Sequence, residues 1–144
     1  MPSFESVRVG DQARLSRSIS EQDVEAFARL TGDFNPLHMD AAYAEKTAFG
    51  GRVAHGMLTA SFLSTVVGML LPGEGALYLS QELNFKKPVM IGDIIEITAT
   101  VVQKVESTRM LVLDMSVANQ NSQVVLKGKA TVTWTTLKKE KPRP

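Results

Sequence analysis

The two halves of the chain carry different hydrophobic periods. In the first half, Val24, Phe27, Ala28 and Leu30 recur at helical spacing after Ser20-Glu-Gln-Asp23, a segment with the layout of a capping box, and Gly32 is placed to stop that helix. Asp33-Phe-Asn-Pro-Leu-His38 is then read as an irregular loop, because Pro36 disfavours helical backbone at Asn35. A short helix is expected from Asp40 through Ala41, Ala42, Tyr43 and Ala44, and Gly50-Gly51 breaks the chain again. The stretch from Gly56 to Leu71 is apolar on nearly all sides and ends at Pro72-Gly73, which predicts the third and longest helix. The first half is thus expected to be helix and loop throughout.

In the second half the period is two. Ile95, Ile97, Ala99 and Val101 alternate with Glu96, Thr98 and Thr100, while Leu111, Leu113, Met115 and Val117 alternate with polar residues. Leu126, Ala130, Val132 and Trp134 do the same, and Tyr78-Leu-Ser-Gln-Glu-Leu-Asn-Phe85 alternates imperfectly. Long strands with short connections predict an antiparallel sheet whose apolar face must be covered. The helix from Gly56 to Leu71 is the element apolar enough to cover it. The expected fold class is α+β, a curved antiparallel sheet wrapped around one central helix.

Composition narrows the chemistry. A chain of 144 residues with 44% hydrophobic and 22% charged residues fits one globular domain spanning 1–144. Its basic, proline-capped end at 137–144 is expected to be a flexible tail. Sixteen Lys and Arg against fifteen Asp and Glu leave a net charge of only +1, which argues against a nucleic-acid partner. The absence of cysteine excludes disulfides, thiolate metal sites and a thiol nucleophile. The amino terminus lacks the apolar core of a signal peptide, and the Gly56–Leu71 stretch is short for a bilayer span. A cytoplasmic protein without a membrane partner is expected.

With only two histidines in the chain, each requires an explanation. Asp33 and His38 bracket Asn35-Pro36, and a carboxylate and an imidazole on a rigid turn can converge on one water or one substrate proton. The structural alternative is an aspartate that caps a turn beside a half-buried loop histidine. Gly56 begins the apolar helix, so its amide is an unsatisfied donor at a positive helix end, the layout of an oxyanion hole. His55, just before it, reads as a packing or capping ring. Ser64 lies two turns along the same helix and could hold Asp33 or His38 in place, but Ser61 is an equal candidate by spacing, and either serine could bond back to its own helix. No nucleophile elbow, zinc-protease, Walker or dinucleotide pattern is present, and two histidines without a paired carboxylate pattern make a weak metal site. Lys86-Lys87 could meet phosphate, although exposed lysine pairs are ordinarily solvated faces.

Gly32-Asp-Phe-Asn-Pro-Leu-His-Met-Asp40, followed by Ala48-Phe-Gly-Gly-Arg-Val-Ala-His-Gly-Met-Leu58, resembles the MaoC-like (R)-specific enoyl-CoA hydratases of the hot-dog superfamily. The similarity is greatest to the bacterial type that supplies polyhydroxyalkanoate synthesis. It extends over nearly the whole chain, through Val9-Gly-Asp11, Leu71-Pro-Gly73, Phe85-Lys-Lys-Pro-Val89 and Gly92-Asp93. The resemblance implies a hot-dog fold whose N-terminal helical overhang carries the active site. It implies that Asp33 and His38 hold one water and add it to the same face of a trans-2-enoyl thioester, while the Gly56 amide polarises the thioester oxygen. It assigns the supporting serine to Ser64, with Asn35 and His55 also supporting, and the acyl pocket is expected to include Leu63, Val66 and Val67. An acyl-CoA substrate, a homodimer, and neither cofactor nor metal are implied. Dehydration of 3-hydroxyacyl carrier protein is the alternative of the same chemistry; a thioesterase or a non-catalytic acyl-binding domain lies further off.

Overall fold

A computed structural model describes residues 3–135; the tail at 137–144 lies outside the described residues. After a single 3-10 turn at Phe4–Ser6, the elements run β1 (Gln12–Ser18), α1 (Glu21–Thr31), α2 (Pro36–Met39), α3 (Ala41–Glu45), α4 (Gly56–Thr65), β2 (Ala76–Phe85), β3 (Ile94–Val105), β4 (Met110–Ala118) and β5 (Val124–Trp134). The five strands form one antiparallel sheet in the order β1-β3-β4-β5-β2.

The alternating positions face a common core. Ile95, Ile97, Ala99 and Val101 on β3 and Leu111, Leu113, Met115 and Val117 on β4 are all buried, and the register sets Ala99 opposite Met115. Leu58, Phe62 and Leu63 of α4 join the same cluster. A helix with apolar residues on most of its circumference has found the one place where that is stable, inside the curve of a sheet. This is the expected α+β arrangement, an antiparallel sheet around one central helix, and it agrees with the hot-dog fold that the resemblance implies.

Three expectations change. The first half is not all helix and loop, because β1 forms an edge of the sheet against β3, pairing Ala13 with Ala99 and Leu15 with Ile97. Its period-two signal consists of only Ala13 and Leu15 among polar residues, too little to register as a strand. The segment after Asn35 is not wholly irregular either. Asn35 keeps the non-helical backbone that a following proline requires (φ −49°, ψ 127°), but Pro36 then serves as the first residue of α2. Finally, the long helix changes pitch: α4 ends at Thr65, and Val66–Leu70 continue as a π-helical turn with the Leu71 amide bonded to the Val66 carbonyl at 2.8 Å. Among the described residues no helix is long and apolar enough to cross a membrane.

Candidate active site

The site begins with how α1 stops. Ser20 and Asp23 form the expected reciprocal cap at its start. At its end Gly32 takes a left-handed conformation (φ 82°) and donates its amide to the Ala28 carbonyl at 2.8 Å, turning the chain back toward α4. Two successive side-chain turns then shape the next residues. The Asp33 Oδ1 accepts the Asn35 amide at 3.1 Å, and the Asn35 Oδ1 accepts the Leu37 amide at 3.1 Å. Asn35 is therefore the cap of α2, and α2 carries His38.

Each imidazole has one nitrogen committed to a backbone carbonyl. His38 Nδ1–H donates to the Val53 carbonyl at 2.6 Å, which leaves Nε2 free for chemistry. His55 Nε2–H donates to the Asp33 carbonyl at 3.0 Å, while its Nδ1 is buried without a partner. Because a carbonyl can only accept, the two rings hold opposite tautomers. They pack with centroids 4.1 Å apart and planes tilted by 33°, and Phe27 also packs against His55 at 4.8 Å. His55 thus holds the backbone of one acid–base residue and the ring of the other. Ligating atoms of Asp33, His38 and His55 all lie within 4.8 Å of one another.

A cavity of about 810 Å³ opens over this group, lined by Asp33, His38, Gly56 and Ser64 at its polar end and by Leu63 and Leu83 among its apolar residues. Among the described residues nothing accepts the Gly56 amide, the first N–H of α4. It therefore remains a donor at a positive helix end, beside the acid–base pair. A Cβ at Gly56 would sit 3.0 Å from the Phe85 ring, a tight contact that the ring would have to shift to accept. A smaller cavity of about 290 Å³ shares His38 and Gly56 with the first and includes Lys86 and Lys87 in its lining.

The model of the MaoC like domain matches residues 6–124, most of the chain and the whole of this site. The chain belongs to the MaoC-like family. Among its relatives, an (R)-specific enoyl-CoA hydratase of Rhodospirillum rubrum is 43% identical over 129 residues, covering 90% of this chain and 89% of that one. The "3-hydroxybutyryl-CoA dehydratase" of Methylorubrum extorquens is 44% identical over 129 residues, 90% of this chain and 82% of its own. The solved (R)-hydratase from Aeromonas caviae, described as involved in polyhydroxyalkanoate biosynthesis, superposes with a TM-score of 0.88 at 41% identity, covering 90% of this chain and 98% of that chain.

Within this MaoC-like site the residues singled out by sequence fall into two groups. Asp33, His38, His55, Gly56, Ser64 and Leu63 line one cavity, and Asn35 supports it from below through its cap. Ser61 and Ser64 are both exposed on the cavity wall and neither bonds to Asp33 or His38; they differ in that the Ser61 hydroxyl donates to the Leu58 carbonyl at 2.5 Å. Val66 and Val67 do not line the cavity. They are as fully buried as Leu63 and belong to the same core cluster, but the cavity wall reaches Leu63 and not them.

Two contributors had no clear sequence signal. The Val53 carbonyl is backbone, and any residue could have supplied it. Tyr78 and Gln81 of β2 also line the cavity, joined by a 2.9 Å bond from the Tyr78 hydroxyl. Residues three apart on a strand should face opposite ways, but the register shifts between Tyr78 and Ser80 and brings both inward. The imperfect alternation of this segment was the trace of that bulge. Burial pushes the pKa of the Tyr78 phenol up to about 12, further still from working pH than a free phenol.

Proposed function

We propose that the chain is an (R)-specific enoyl-CoA hydratase, a hydro-lyase that reversibly adds water across the double bond of a trans-2-enoyl thioester to give the (R)-3-hydroxyacyl thioester. The observation that carries this reading is the convergence of a carboxylate, a free imidazole nitrogen and an unpaired helix-start amide on one apolar cavity. The Asp33 carboxylate removes a proton from a water whose oxygen bonds to C3. The electrons of the double bond move onto the thioester oxygen, where charge builds up against the Gly56 amide. His38, carrying a second proton on Nε2, delivers it to C2, and the carbonyl reforms. Asp33 ends protonated and His38 neutral, and proton exchange with solvent resets both. With ligating atoms of Asp33 and His38 within 4.8 Å of each other, this pair delivers oxygen and proton to the same face of the double bond.

The acyl arm of the substrate fits the larger cavity. The thiol arm fits the smaller one, where Lys86 and Lys87 can meet phosphate. The named activities of the 43–44% identical relatives support CoA as the carrier. Acyl carrier protein is the second candidate, favoured by a mitochondrial 3-hydroxyacyl-[acyl-carrier-protein] dehydratase of Arabidopsis thaliana at 37% identity. A cytoplasmic setting, supply of fatty-acid or polyhydroxyalkanoate metabolism, and the lack of any cofactor or metal requirement belong to the same proposal.

So does a homodimer. β2 lies at the edge of the sheet, and its Leu77 and Leu79 are 49% and 46% exposed. An exposed apolar edge of this kind calls for a partner, and a second β2 related by a two-fold axis would join two sheets into one. The functional test is loss of the conjugated enoyl-thioester absorbance when crotonyl-CoA is mixed with the protein. Loss without release of free thiol supports the hydratase; thiol release would establish a thioesterase instead.

A further inference from the structure

Arg52 reaches the catalytic helix from outside the segment that carries the acid–base residues. Its side chain is only 12% exposed. Its Nε donates to the His38 carbonyl at 2.5 Å, and its Nη1 donates to Glu21 Oε1 at 2.8 Å. The next residue adds two bonds to the same helix. The Val53 amide donates to the Leu37 carbonyl at 3.2 Å, and the Val53 carbonyl receives His38 Nδ1–H. Residues 52 and 53 therefore grip α2 at three points, and the charged one is the guanidinium.

That grip has a mechanical reason. α2 has four residues, far below the length at which a helix holds its own shape. The orientation of His38 must come from outside, and a ring whose nitrogen is misplaced by 1 Å can cost about 10²-fold in rate. Anchoring the His38 carbonyl fixes the backbone from which the ring projects, and the Val53 carbonyl then selects Nδ1–H. The Arg52–Glu21 ion pair is exposed on its glutamate side (63%) and contributes little to stability by itself. Its use is to aim the guanidinium, which as a planar fork can serve both partners at once, whereas a lysine ammonium would have to divide one nitrogen between them.

We infer that Arg52 is a positioning residue for His38, holding Nδ1–H on the Val53 carbonyl so that Nε2 alone is left to take up and deliver a proton. The consequence for turnover rests on the hydratase reading above; the consequence for the His38 ring does not.

The experiment records long-range proton–nitrogen correlation spectra of the histidine rings in the full-length protein, with kcat and KM for crotonyl-CoA measured alongside. Only two histidines contribute, and the structure gives them opposite tautomers, so their patterns separate. Wild type is expected to show one Nδ1–H ring and one Nε2–H ring at high pH. In Arg52→Met the His55 pattern is expected to stay, the His38 pattern to become a tautomer mixture, and kcat to fall about tenfold or more with KM nearly unchanged. Arg52→Lys, which keeps a cationic donor, is expected to be intermediate in both readouts. A His38 ring that stays purely Nδ1–H in Arg52→Met overturns the inference, whether or not kcat falls, since a rate loss alone would mean general loosening. Should Arg52→Met fail to fold, Arg52→Lys decides: an intermediate spectrum supports the role, and a wild-type spectrum with wild-type kcat overturns it. Absence of hydratase activity in every variant would count against the functional reading while the spectra still decide the role of Arg52.

Discussion

His38 has one ring nitrogen to spare because the Val53 carbonyl holds the other, and Asp33, Asn35 and His55 are each tied to backbone groups as well. That is what rigid acid–base geometry requires, and it extends to residues remote from the chemistry. Asp23 shows it at the start of α1. Burial raises the pKa of its carboxyl, but the Ser20 amide and hydroxyl and the Arg17 guanidinium outweigh burial and hold it below its ordinary 3.8. A carboxyl lowered on folding contributes stability that is present above the unfolded value and lost as pH falls through the folded one. Asp23→Ala, which breaks the reciprocal cap with Ser20, should therefore cost about as much as losing a helix cap, ~1 kcal/mol at neutral pH, measured by chemical denaturation, and the gap to wild type should narrow as pH falls below 3.8. At this scale the sequence was a good guide where side chains act. The Asp33, Asn35 and His38 pattern and the Ser20–Asp23 cap were legible because specific side chains make them. The Val53 carbonyl was not, because a backbone acceptor leaves no mark on residue identity, and the grip of Arg52 depends on a contact fourteen positions away from His38.

At the scale of elements, what was legible followed the strength of the period. β3 and β4 alternate cleanly and form as expected, while β1 offers two apolar residues and was missed. α4 was placed correctly at Gly56, the end that matters for the site. Its far end depends on packing that hydrophobicity does not encode: nearly every residue there is apolar, so the pattern cannot say where pitch changes or which valines meet the cavity. The bulge in β2 brings Tyr78 and Gln81 to the cavity together, and further along the same strand pair Gly128 of β5, opposite Leu83, lets the two backbones approach closely. A Cβ at Gly128 would lie 1.9 Å from the Glu82 carbonyl oxygen, a backbone atom that cannot swing aside. Gly128→Ala should therefore destabilise the fold by about 3 kcal/mol or more, at the upper end of overpacking costs, as read from the urea midpoint. A variant as stable as wild type would contradict the close pairing of β2 and β5.

At the scale of the whole molecule, the sheet has two unlike edges. β1 is short and polar, a well-protected edge, whereas β2 runs ten residues with apolar side chains exposed. If β2 meets its own copy, light scattering should give twice 15.7 kDa, and Leu77→Lys combined with Leu79→Lys should yield a folded monomer. A wild-type monomer would remove the dimer from the account. The fold as a whole was legible because one helix apolar all round and one set of alternating strands have few ways to satisfy each other. The homodimer came from the resemblance and not from the hydrophobic pattern, since an exposed leucine alone does not name its partner.

The central claim is that Asp33 and His38 add water to one face of an enoyl thioester, and the stereochemistry of the product tests it most directly. Crotonyl-CoA should be converted to (R)-3-hydroxybutyryl-CoA by the wild-type chain, with kcat reduced by about 10²-fold or more in Asp33→Asn. An (S) product, or full activity in Asp33→Asn, would contradict the account.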